Sequence, residues 1–410
     1  MFRHLFNDTL VTTLGTAIGT MATQLLFYPV IARVFGFEAL GRLMVLVGVL
    51  NIIGVGFGSA GAMAYLRRFR SGDCNWNSRI FAGGCSFVVL AGLAGILAFT
   101  SYGITGVPKF LLAAACSVMA LRIYTAAWYR GVLKFWRVAV SNIVLGCGYG
   151  FAALWVDVLP IELWILIAEG LSLSILFPLR GFSQLDLVGG NSATMRVAVN
   201  AMWRDVIPFL LISVVGNLYA YAGRFLADYF LTVRDIAVLA AGTSFARVLA
   251  LPLSGLSSVL LSHLAQRSAP STRLIRRVLT VALGSTVAII PVSIAAGMVF
   301  LAFAYPDIAR VTQPVLLVSA LGVGFSVFDA LVRGVLYRWA GTSQRFISDV
   351  VGVAILFALG YLLGQTWGVV GLAWASTFAL LVRGGWTLVG LLRLRDHAPS
   401  VGAPEGLQTE

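Results

Sequence analysis

Twelve apolar runs, most of them about as long as a bilayer's hydrocarbon core is thick, leave this chain few ways to fold. A helix rises about 1.5 Å per residue, so roughly 20 residues cross the roughly 30 Å of hydrocarbon. The runs lie near 10–32, 40–65, 80–102, 108–129, 137–156 and 160–179. After a longer polar segment they resume at 203–223, 236–261, 278–303, 312–337, 347–364 and 368–392. The 410 residues would make two or three soluble domains, but 59% are hydrophobic and only 11% charged, too few charges to solvate such surfaces. The expectation is an all-α integral membrane protein of about 12 transmembrane helices.

Four arginines fall inside the runs: Arg122, Arg247, Arg333 and Arg383. Each costs roughly 2.5–3.5 kcal/mol near mid-bilayer, on the order of 10–14 kcal/mol together. A wet cavity or an anionic partner offsets that cost, so the interior reads as cationic and the cargo as anionic. Arg247 and Arg383 lie closest to the middle of their runs. A guanidinium grips phosphate with paired hydrogen bonds and keeps its proton, so these two, with Arg122, are the candidate cargo-binding residues. The competing reading for Arg247 and Arg383 is a structural ion pair or bonding to helix carbonyls. Arg122, in the inner half of its run, can also snorkel to the surface.

Asp329 and Arg333 are four residues apart and share a helix face. They read as a local neutralising pair, with a gate or relay behind it. Glu169, near the middle of the sixth run, is a candidate for proton or cation coupling, because burial favours its neutral form. It reads equally as the partner of one of the arginines. Gln24, Asn51, Asn142, Asn217 and Gln313 are further polar residues within runs. They suit sugar hydroxyls or bonds between helices.

The remaining basic residues set an orientation. With the N-terminus in the cytoplasm, 19 fall in inner segments and 6 outside: Arg33, Arg42, Lys109, Arg224, Arg234 and Arg310. The reverse topology breaks the positive-inside rule at nearly every loop. Both termini are therefore expected inside. Arg33, Arg42 and Arg224 flank the outer ends of the first, second and seventh runs. They form either an outer cationic mouth or interfacial anchors.

The net charge of +13 does not point to nucleic acid, since the cations sit in short loops between apolar runs. Cys74, Cys85, Cys116 and Cys147 show neither a disulfide framework nor metal-ligand spacing. The three histidines, His4, His263 and His397, lie at run ends, and there is no phosphate-binding glycine loop of the GxxxxGK[ST] type. No cofactor, metal or catalytic residue is expected. The first run is too long for a signal-peptide core and reads as a retained span.

The polar stretch at 181–202 divides the chain into comparable halves, giving expected lobes at 1–180 and 203–395 and a tail at 396–410. Pro29 and Pro208 sit at comparable places in the first span of each half, where proline permits a bend. This suggests a duplicated transporter of two six-helix lobes around a central cavity.

The stretch LLFYPVIARVFGFEALGRLMVLVGVLNIIGVGFGSAGAMAYLRRF resembles the polysaccharide-transporter branch of the multidrug/oligosaccharidyl-lipid/polysaccharide superfamily. The likeness is carried by Arg33, Gly36, Gly41, Gly54, Gly56, Gly58, Arg67 and Arg68. GRFLADYFLTVRDIAVLAAGTSFAR is loosely similar to the family's later counterpart, without its usual glycine-tyrosine pair. The resemblance implies a V-shaped pair of bundles in a bacterial inner membrane. It also implies a flippase that moves polyprenyl-diphosphate-linked oligosaccharide by alternating access. Membrane lipids, a coupling ion (proton or sodium) and other polysaccharide-assembly proteins are the further partners of such a carrier. The rivals are a drug or metabolite exporter of the same fold and a membrane enzyme of polysaccharide assembly (polymerase, ligase or acyltransferase). The enzymes usually need a sizeable outer loop or a membrane-embedded histidine, and neither is visible. A scaffold for a glycan-assembly complex is a further alternative.

The orientation is testable. With cysteines placed at Ser71, Ser268 and Thr105 in a cysteine-free background, an impermeant thiol reagent should label only position 105 in intact spheroplasts. Labelling at 71 or 268 with none at 105 reverses the topology.

Overall fold

The computed structural model describes residues 2–69, 74–177, 192–244, 248, 272–339 and 342–396. Among them the regular structure is entirely helical. The first half comprises α1 (Phe2–Met21), α2 (Tyr28–Leu50), α3 (Gly56–Arg68), α4 (Cys74–Gly84), α5 (Ser86–Ser101), α6 (Gly106–Gly131), α7 (Phe135–Leu154) and α8 (Ile161–Leu176). The second comprises α9 (Ser192–Phe230), α10 (233–244), α11 (Thr272–Ala304), α12 (Ala309–Trp339) and α13 (Thr342–Asp396).

Eight stretches among the described residues are long and apolar enough to cross a membrane. Two of them hold two spans each. In Leu10–Arg68 the chain turns at Gly36, with φ 86°, and in Phe346–Leu394 it turns at Gly368, with φ 57°. Glycine adopts such angles without the clash that a Cβ would bring. Beyond the second turn Gly371 lies against Leu363, so α13 is a helical hairpin. With the 16-residue α8 and with α10, which leaves the described region at 244, the spans number twelve, in two six-helix lobes.

The expected linker at 181–202 differs from the structure at its far end. Residues 192–202 already form the first turns of α9. Ala198, Met202, Val206 and Phe209 recur at helical spacing and are buried, while Asn200 and Arg204 face outward. Residues 181–191 of the linker and 397–410 of the tail lie outside the described residues. So does 249–261, the far part of the eighth run.

A π-helical turn over Ala22–Phe27 directly precedes the helix that carries Pro29, where the sequence suggests a bend. Proline has no N–H for the ladder, and the widened turn absorbs the missing bond. A second π-helical turn, Asn51–Val55, separates α2 from α3. Pro208 lies within α9 without breaking it.

The second span runs antiparallel to α9 along a seam between the lobes, which the start of α10 joins. Gly41 sits against Val233, Gly48 against Tyr221 and Phe225, and Gly56 against Val214. Small residues bring the backbones together where lipid offers no hydrophobic drive for association. At the charge-rich end Arg68 Nε donates to Asp205 Oδ2 at 2.6 Å, and Arg67 lies 3.7 Å from Asp205 Oδ1. At the charge-poor end one apolar cluster joins both lobes: Ile31, Leu40 and Met44 with Ile236, Ala240 and Ile308.

Gly41 has no room for a side chain, since a Cβ would overlap the Val233 carbonyl; around Gly150 there is open space. Gly41→Ala should therefore cost about 1–3 kcal/mol and lower Tm in detergent, whereas Gly150→Ala should not lower it. Equal Tm values for the two variants would contradict the close seam.

Candidate functional site

A cavity of about 650 Å³ lies between the lobes, lined from both. The π-helical turns bring Thr23, Gln24, Asn51 and Val55 to it, and Gly216 and Asn217 reach it from α9. Hydroxyl and amide groups from the first, fifth, seventh, tenth and twelfth spans make its wall hydrogen-bonding as well as apolar.

In the first lobe Arg122 of α6 faces Glu169 of α8. Its Nε donates to Glu169 Oε2 at 2.6 Å and its Nη2 to Oε1 at 3.5 Å. Its Nη1 donates to Asn142 Oδ1 at 3.3 Å, and Asn142 Nδ2 donates to Thr16 Oγ1 at 3.3 Å. Glu169 is 1% exposed, so removing one partner of this pair leaves the other poorly compensated. The ion pair with an arginine, one of the two readings of Glu169, is present.

The second lobe holds a larger ionic group. Arg383 Nη2 lies 2.8 Å from Asp349 Oδ1, and its Nε lies 3.3 Å from Asp329 Oδ2. Asp329 also pairs with Arg333, as their spacing on α12 implies. Thr387 Oγ1 donates to Asp329 Oδ1 at 2.9 Å. The Arg383 guanidinium lies 5.1 Å from the centre of the Tyr219 ring. This group ties α12, both arms of α13 and α9 together around a single guanidinium.

Arg224 departs from its expected place. It does not flank an outer mouth: it is 2% exposed and lines the cavity. Its Nη1 donates to the Met44 carbonyl at 3.1 Å across the lobe boundary, and its guanidinium lies 5.1 Å from the Tyr221 ring. It lies on α9 about two turns before that helix ends, too deep for an interfacial anchor. Arg42 is exposed, and Arg33, also exposed, donates to the Phe303 carbonyl at 2.7 Å.

Arg122, Arg333, Arg383, Glu169 and Asp329 all line this one cavity, whereas Arg247 lies outside the described residues. Sequence reasoning missed Asp349, Asp205 and the depth of Arg224. The first two carried a signal, an acid within or beside an apolar run. Among the described lining residues four guanidinium groups face two carboxylates, with Asp349 behind Arg383 as a third. The cavity is thus cationic, but less so than the sequence suggests. Each guanidinium has more donors than its carboxylates accept.

None of the known family profiles matches this chain, and no curated protein does. Solved structures do match, over nearly the whole length. A point mutant of the Vibrio cholerae MATE transporter VcmN aligns with a TM-score of 0.74 at 14% identity, covering 95% of this chain and 96% of that one. An outward-facing multidrug resistance MATE transporter of the MOP superfamily aligns at 0.71 and 12% identity, over 96% and 95%. The lipid II flippase MurJ, in an inward closed conformation, aligns at 0.68 and 14% identity, over 95% and 90%. The chain therefore has the fold of the MATE transporters and MurJ.

Glu169→Gln leaves Arg122 with a neutral partner at a buried site, and should cost about 3–5 kcal/mol. The expected result is a lower Tm, with Arg122→Gln combined with Glu169→Gln recovering part of the loss. A double-mutant cycle with no coupling between the two positions would show that the pair contributes nothing.

Proposed function

We propose that this protein is a flippase for polyprenyl-diphosphate-linked oligosaccharide, working by alternating access in a bacterial inner membrane. One observation carries the reading: the cavity shared by the lobes has more guanidinium groups than carboxylates on its wall. An excess of buried arginine favours an anionic headgroup, and guanidinium suits phosphate. Arg383 and Arg122, with Arg247, hold the diphosphate in this reading, and Arg224 joins them. The amides and hydroxyls of Asn51, Asn142 and Asn217 and the neighbouring serines and threonines take sugar hydroxyls. Glu169, Asp329 and Arg333 serve coupling or gating, driven by a proton, a sodium ion or the membrane potential. One charge moved through 100 mV supplies about 2.3 kcal/mol. The protein is not an enzyme in this reading. The first lobe corresponds to 1–180 and the second begins with α9 and runs to 395, both termini are cytoplasmic, and glycan-assembly proteins are neighbours.

The fold likeness to MATE transporters keeps a second reading, a drug or metabolite exporter. It is favoured by the three buried carboxylates at or behind the cavity wall, Glu169, Asp329 and Asp349, since a cationic drug needs acidic partners.

Proteoliposomes separate the two. Lipid-linked oligosaccharide should reach the opposite leaflet with the wild type. Arg383→Ala and Arg224→Ala should slow that transfer at least about tenfold, while Arg383→Lys should keep part of the activity, having the charge without the planar fork. Uptake of a lipophilic cation, with no movement of the lipid-linked glycan, would replace the flippase reading by the exporter.

A further inference from the structure

At the charge-poor end each lobe sends an arginine across the boundary, and each arginine ends on a backbone carbonyl. Arg33, close before the turn at Gly36, donates from Nη2 to the Phe303 carbonyl at 2.7 Å. Arg224 of α9 donates from Nη1 to the Met44 carbonyl at 3.1 Å. Phe303 lies in the last turn of α11, where carbonyls have no partner within the helix. Met44 lies inside α2, so its carbonyl already serves the helix ladder and Arg224 uses its second lone pair. Met44, and Ile31 near Arg33 in the chain, belong to the apolar cluster shared by the lobes.

The two clasps differ in what can reach them. Arg33 is exposed, where water competes for its hydrogen bonds and lowers what the contact contributes. Arg224 is 2% exposed and lines the same cavity as Arg122 and Arg383. The Met44 carbonyl and the Tyr221 ring are both neutral partners for its charge. An anion forms hydrogen bonds to a guanidinium roughly twice as strong as those of a neutral acceptor. A phosphate in the cavity therefore draws Arg224 off the Met44 carbonyl. The contact at the charge-rich end is of the other kind. There Arg67 and Arg68 meet the carboxylate of Asp205, and none of the three lines the cavity. An anion held in the cavity does not compete for it.

We propose that Arg224 is the trigger of a gate at the charge-poor end: the phosphate headgroup in the cavity takes it from the Met44 carbonyl, and that end opens while Arg68 and Asp205 keep the other shut. The proposal rests on the flippase reading. Once Arg224 has turned to the cargo, the charge-poor end relies on the exposed Arg33 clasp and on apolar packing. Cargo binds the opened state more tightly, because there Arg224 is released to it, and so shifts the population toward that state. The empty carrier keeps its clasp and stays closed at that end. A cationic cargo gives Arg224 nothing to move to.

The test uses the full-length protein in phosphatidylcholine nanodiscs, its native cysteines replaced, with farnesyl diphosphate as the probe. Spin labels on cysteines placed at Phe35 and Asp307 report the lobe separation at the charge-poor end, and a pair at Lys134 and Arg276 reports the charge-rich end; all four positions are exposed. Kd is measured alongside. In the otherwise unchanged protein, farnesyl diphosphate should lengthen the first distance and leave the second as it was. Arg224→Ala removes the clasp. Without ligand it should raise the ratio of long to short distances between 35 and 307 at least about tenfold, the scale of one hydrogen bond to a charged group. Arg224→Gln keeps a donor for the Met44 carbonyl but not the charge. It should stay closed without ligand and fail to open at saturating ligand. Arg33→Gln, outside the cavity, should keep the response. Phosphatidylglycerol in the disc should not open the gate by itself; if it does, an ordinary anionic lipid is the trigger's ligand and the cargo-driven gate is overturned. Binding with no change between 35 and 307 overturns the proposal and leaves the flippase reading standing. So does an Arg224→Gln protein that opens on saturation, or an Arg33→Gln protein that no longer responds. No binding of farnesyl diphosphate by the parent protein sinks both.

Discussion

A guanidinium cannot be discharged inside a membrane, so an arginine in a span must find an acceptor or water. The rest of this structure follows from how that demand is met. In the first lobe the acceptor for Arg122 comes from another helix, Glu169 of α8, supported by Asn142 of α7. In the second, Arg383 recruits Asp349 from the opposite arm of its own hairpin and Asp329 from α12. Each guanidinium thereby fixes the relative placement of several helices. Breaking such a pair from one side leaves an unpaired buried charge, which is costlier than the pair is stabilising. The same groups that set the cavity's charge therefore also hold its walls together.

The lobes are joined differently. The seam between the second span and α9 depends on glycines that permit backbone approach, and polar contacts sit near its two ends. Arg224 reaches the Met44 carbonyl toward the charge-poor end, and Arg68 meets Asp205 at the other. The apolar cluster shared by both lobes covers the charge-poor end of the cavity in this conformation. A carrier that rocks its lobes has to exchange these contacts. A neutral backbone carbonyl is a weaker partner for a guanidinium than a carboxylate, so the Arg224 contact is the easier of the two to give up.

In the flippase reading proposed above, the cargo is anionic at one place and hydroxyl-bearing at others. The cavity's arginines are not bare, however. An incoming phosphate competes with Glu169 or with the aspartates for the same guanidinium, and the displaced carboxylate then needs another cation or a proton. On that reading cargo binding and ion uptake would be linked without any long-range conformational signal.

Much of the architecture was legible in the sequence, because hydrocarbon imposes both the length and the composition of a span. The twelve spans were recoverable from hydropathy even where the helices join without a loop, as at Gly36 and Gly368. The Asp329–Arg333 pair was legible because helix geometry brings residues four apart to one face. Pairing across helices was not. That Glu169 would meet Arg122, or that Asp349 and Asp329 would share Arg383, depends on which helices are neighbours, and hydropathy carries no such information. Arg224 was misplaced for the same reason: counted from the end of its run it looked like a flank, but packing of α9 against the second span turns it inward. The start of α9 was missed because its first turns are polar on one face and buried on the other, so they score as a linker. The sequence alone therefore determined that the chain crosses a membrane twelve times and carries costly charge within it. Only the tertiary structure decided which of those charges neutralise one another and which face the cavity, because only packing brings residues far apart in the chain within a few ångströms.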